Sequence, residues 1–61
     1  MANISAKELS ALEDMLNGEQ NLVKKYQAFA ENSTDPQLKA KYNMVADKHQ
    51  QHFNTLYNYL Q

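Results

Sequence analysis

The sequence predicts an all-α fold, an antiparallel two-helix hairpin that dimerises into a four-helix bundle. Three observations carry this. Apolar residues recur at steps of three and four along two long segments, which is the period of a helix and not the alternation of a strand. The stretch ENSTDPQL interrupts that period once and holds the single proline. The chain has 61 residues and no cysteine, so one helical layer would be marginal alone and no disulfide or thiolate metal site can support it. Residues 1–61 therefore read as a single helical-hairpin domain that needs a partner subunit or a metal.

The first helix starts in NISAKEL. Ser5 and Glu8 have the S-x-x-E spacing of a capping box, and Ile4 and Leu9 fit the hydrophobic staple around it. Its seam runs Leu9, Leu12, Leu16, Val23, Tyr26, Ala30, widened by Met15, Leu22 and Phe29. Asn17-Gly18 is a turn-favouring pair within this run. The apolar phase continues across it, so a continuous helix is expected, with Gly18 costing about 1 kcal/mol relative to Ala. At the interruption, Asp35 followed by Pro36 reads as an N-cap and a first helical position. The second seam is Leu38, Tyr42, Val45, Leu56 and Tyr59 or Leu60, edged by Met44, Phe53 and Tyr57. The helices are expected at about 6–31 and 36–60. Leu9, Leu12, Leu16, Val23, Val45, Phe53 and Leu56 are the expected core, while Phe29, Phe53 and Tyr57 would stay wet on a lone hairpin. Two hairpins packed face to face would cover them, and symmetric pairing is the commonest oligomeric solution.

Composition excludes several classes. A formal net charge of −1, with both signs interspersed, leaves no electrostatic footprint for nucleic acid or an anionic membrane. No apolar run approaches the roughly 18 residues of a membrane span, and no signal-peptide pattern is visible. The expectation is a soluble, intracellular protein with neither nucleic acid nor membrane as partner. Lys24-Lys25, Asp47-Lys48 and many Gln and Asn side chains read as a solvated outer face. No Ser–His–Asp set, Gly-rich phosphate loop or nucleophile elbow is present, so the chain does not read as an enzyme.

Filling the gaps in the two seams exposes polar residues on the inside line. Glu19 stands between Leu16 and Val23, and His49 and His52 stand between Val45 and Leu56. With the turn centred between Ser33 and Thr34, Glu19 falls opposite Lys48 and His49, so all three groups should share one layer. Tyr26 and Tyr42 should likewise lie near one level. Unpaired burial of polar groups costs several kcal/mol, so the layer calls for a common explanation. Three readings are open: a hydrogen-bonded network that fixes helix register, a metal site with Glu19, His49 and His52 as ligands, or partly solvated groups at the seam's edge. His at i and i+3 is a weak signal alone, and alignment with Glu19 strengthens it.

SAKELSALEDMLNGEQNLVKKYQAFA and TDPQLKAKYNMVADKHQQHFNTLYNYL, above all DPQLK followed by KHQQHFNTL, resemble the small spore-coat proteins of endospore-forming bacteria related to CotF. The similarity covers nearly the whole chain. It implies a ferritin-like helical arrangement and a place in the spore coat, with other coat proteins as neighbours. Ferritin-like di-metal bundles use one Glu from each of two helices and Glu-x-x-His from each of the other two. Glu19 matches the lone glutamate and His52 the histidine of the second motif, but His49 stands where that motif has glutamate. A dimer would thus lack the bridging carboxylates, and its donors would favour Zn, Cu or Ni over a carboxylate-bridged Fe pair. The leading expectation is a structural, homodimeric spore-coat-type protein without a cofactor. The alternative is a metal-binding ferritin-like bundle with residual metal-dependent oxidase chemistry.

Overall fold

The capping box forms as the sequence dictates. In the computed structural model, which describes residues 3–61, the Ser5 hydroxyl accepts from the Glu8 backbone N–H at 3.1 Å. The Glu8 carboxylate accepts from the Ser5 backbone N–H at 3.0 Å. The remaining residues of the expected domain, Met1 and Ala2, lie outside the described part. From this cap α1 runs Ala6–Asn32 without a break at Asn17-Gly18, and Gly18 has no positive φ. It ends where the Ser33 N–H turns back to the Ala30 carbonyl at 3.4 Å and the Asn32 amide donates to the Ala28 carbonyl at 2.9 Å.

Three residues, Ser33, Thr34 and Asp35, make the link. The Asp35 carboxylate accepts from the backbone N–H groups of Gln37 at 2.9 Å and Leu38 at 3.3 Å, satisfying two of the unpaired donors at a helix start. Pro36, which has no N–H to lose, takes the first helical position. α2 spans Pro36–Tyr57, and Asn58–Leu60 tighten into one 3-10 turn. The second helix thus ends three residues before the expected limit of 60, because its last turn changes hydrogen-bond pattern.

The two helices lie against each other as an antiparallel hairpin of 46 × 14 × 10 Å, a rod one layer thick. Among the described residues its core is narrow: Leu12, Leu16, Val23 and Ala30 from α1, and Ala46 from α2. Three of the expected core residues, Leu12, Leu16 and Val23, are buried. Val45, Phe53 and Leu56 are half-buried, and Leu9 is 36% exposed. Leu9 sits at the level of Asn58, where α2 has given way to the 3-10 turn and offers less cover.

Several exposed apolar side chains, Met15, Phe29, Leu38 and Tyr59, line grooves towards the two ends of the rod, while Met44 lies in a separate one. Near the link, Phe29, Leu38 and Tyr42 line an open groove. Tyr26 packs on Phe29 at 5.7 Å and on Tyr42 at 6.2 Å between ring centroids, so the two tyrosines expected near one level are in contact. At the far end Met15, Leu56 and Tyr59 line another groove with Ile4. Between the two lie Glu19, His49 and His52.

Candidate functional site

α1 supplies Glu19, one turn beyond buried Leu16 and four residues before buried Val23. That position places its side chain against α2 with only 16% exposure. α2 supplies His49 and His52 on successive turns of one face. The carboxylate meets both rings. Nδ1 of His49 lies 3.1 Å from Oε1 and 3.2 Å from Oε2, and Nδ1 of His52 lies 3.1 Å from Oε2. The three residues predicted to share a layer are therefore in direct contact across the hairpin.

A carboxylate can only accept, so each hydrogen bond requires the imidazole proton on Nδ1. In the neutral tautomer this leaves Nε2 with a free lone pair. The chain has two histidines, and both turn the same nitrogen to the same carboxylate.

The two rings differ in burial. His49 is 23% exposed and His52 is 61% exposed. Helix geometry accounts for the difference. At about 100° per residue, His49 is turned roughly 60° from buried Ala46 and His52 roughly 120°, towards the edge of the packed surface. Within a single hairpin neither imidazole is buried: His49 is half-buried at the edge of the core and His52 is exposed, so the expectation that both fill core positions is not met there. His49 is further held by Tyr26, whose ring stacks on it at 6.2 Å with an interplanar angle of 14°. The two imidazoles meet edge to face at 5.6 Å.

Tyr26 was legible as a core aromatic but not as the residue that orients His49. The signal lies in spacing: Tyr42 and His49 are seven residues apart on one face, so a ring packing on Tyr42 can also reach His49. The Lys25 Nζ, expected on the solvated outer face, lies 5.9 Å and 5.8 Å from the ring centroids of Tyr26 and Phe29.

The grooves beside the cluster are shallow and open. Glu19, His52, Thr55 and Leu56 line the one adjoining it, and no enclosed substrate cleft lies there. Among the described residues no buried side-chain donor or acceptor lacks a partner. No helix there is long and apolar enough to cross a membrane. Comparison with protein families, characterised proteins and solved structures gives no match. The resemblance to spore-coat proteins therefore rests on the residues quoted for it.

Proposed function

We propose that this chain is a structural assembly unit, a hairpin that pairs with a second copy of itself into a four-helix bundle. The observation that supports it is the set of uncovered apolar side chains. Met15, Phe29, Leu38 and Tyr59 are between 41% and 55% exposed on a rod one layer thick. A second copy is the favoured occupant for two reasons. Among the described residues the rod's own core is five residues with no large side chain fully enclosed, so a lone hairpin is marginally stable. Its near-neutral charge neither repels a copy nor selects a strongly charged partner. Burial of these apolar side chains at about 25 cal/mol per Å² would add to that margin of stability.

The resemblance of the DPQLK and KHQQHFNTL segments adds a setting: a component of the spore-coat type, built for packing and not for turnover.

Sedimentation equilibrium tests the reading. The expected result is a dimer at micromolar concentration that Met15→Lys converts to a monomer with its helical circular dichroism retained. Met15 is 51% exposed, so its loss weakens the single hairpin little. A native chain that stays monomeric and helical at that concentration would overturn the proposal.

A further inference from the structure

We propose that Glu19, His49 and His52 form a binding site for a divalent transition metal of the zinc class, complete within one hairpin. Nothing in the pairing of two copies is needed for it. The first argument is convergence. One potential ligand atom from each of the three lies within 4.8 Å of the other two. The second is spacing. Bonds of about 2.0–2.1 Å in a tetrahedral site put neighbouring ligands roughly 3.3 Å apart. Oε2 of Glu19 already stands 3.2 Å from Nδ1 of His49 and 3.1 Å from Nδ1 of His52, so two edges of a coordination tetrahedron are close to length. A cation entering there takes the place of the two Nδ1 protons, which leave to solvent as it binds. The carboxylate and both imidazoles then become its ligands.

Donor chemistry sets the class of ion. Two imidazole nitrogens and one carboxylate oxygen suit Zn, Ni, Co or Cu, whereas Ca and Mg select oxygen cages. The surroundings suit a site and not only a brace between helices. Tyr26 restrains the His49 ring by stacking on it, which limits the reorientation needed when an ion binds. His52 is 61% exposed, which leaves an entry path and a fourth coordination position facing solvent or an incoming donor. The same three contacts read as hydrogen bonds explain why the layer is stable empty. They do not explain why both of the chain's histidines converge on one acidic group.

Calorimetric titration of the full chain with Zn(II) tests the assignment. One ion per hairpin is expected, with a raised melting temperature. Glu19→Gln and His52→Gln should each weaken binding by at least about 10-fold, the loss typical even of groups that only support a ligand. The His52 variant removes an exposed ring, so circular dichroism should show its helices intact. Co(II) in place of Zn(II) should give the strong visible absorption of a tetrahedral site. Nitrogen-15 spectra of the imidazoles should show Nδ1 losing its proton. Three results would each overturn the assignment: no Zn(II) binding by the native chain, equal affinity in His52→Gln, or ligation through Nε2 with Nδ1 still protonated. Sedimentation run with and without Zn(II) separates this outcome from the pairing, since a monomer that binds the ion keeps the site and loses the dimer.

Discussion

Gly18→Ala is expected to stabilise the hairpin, and the structure fixes both the sign and the size. Gly18 lies in the middle of α1 with an ordinary negative φ, so it uses none of glycine's special freedom. A Cβ built there meets nothing within 4 Å. No clash offsets the gain in helix propensity, which is about 1 kcal/mol for alanine over glycine. At about 2.1 cal/mol/K of unfolding entropy per residue, a chain of 61 residues has roughly 0.13 kcal/mol/K, so the melting temperature should rise by about 8 °C. Circular dichroism melts over a series of protein concentrations provide the assay. An unchanged or lowered melting temperature at the lowest concentration would refute the reasoning. A gain at high dilution that disappears on concentration would locate a partner's backbone against this turn of α1.

Two further substitutions probe the core and the cap. Leu16→Ala removes one of the few buried side chains, 8% exposed, and such changes cost about 2–5 kcal/mol. A core of this size rarely supplies more than ~3–5 kcal/mol, so helical circular dichroism should be largely lost at 25 °C; a cooperative melt near the native one would contradict the assigned core. Ser5→Ala should cost about 1 kcal/mol by opening the capping box. It should also alter the acid limb. The Ser5 backbone N–H, and then its hydroxyl, hold the Glu8 carboxyl below its ordinary value. Stability from Glu8 is therefore present above the unfolded-state pKa and lost as pH falls through the lower folded-state pKa. The backbone N–H at position 5 remains, so the variant's stability should fall only somewhat less steeply across that window, and an identical acid limb in urea titrations would show that the Ser5 hydroxyl does not hold the charge.

Local signals read well from the sequence because each involves few residues. Ser5 and Glu8 at the first helix, and Asp35 at the second, accept from the first backbone donors with their own side chains, and Pro36 has no donor to satisfy. Their spacing alone located both starts. The Glu19–His49–His52 layer was also legible, since a three-residue link makes distance from the turn a ruler for height. The axis of α2 was less so. Val45, Phe53 and Leu56 drew the apolar stripe to one side, while the residue buried deepest on that helix is Ala46, at 3% exposure. Alanine adds little to a periodicity built on large apolar groups, yet its small size lets two helix backbones approach. Ring orientation was not legible either. Which imidazole nitrogen faces Glu19 depends on rotamers set by cross-hairpin contacts such as the stack on Tyr26.

The shortness of the Ser33–Asp35 link has a kinetic consequence. Closing so small a loop takes well under a microsecond, and proteins dominated by nearby contacts fold in microseconds to milliseconds. Each helix of the rod finds its mate by a local search, whereas meeting another molecule requires diffusion and depends on concentration. The acid and its two imidazoles would therefore come together during the fast unimolecular event, before any encounter between chains.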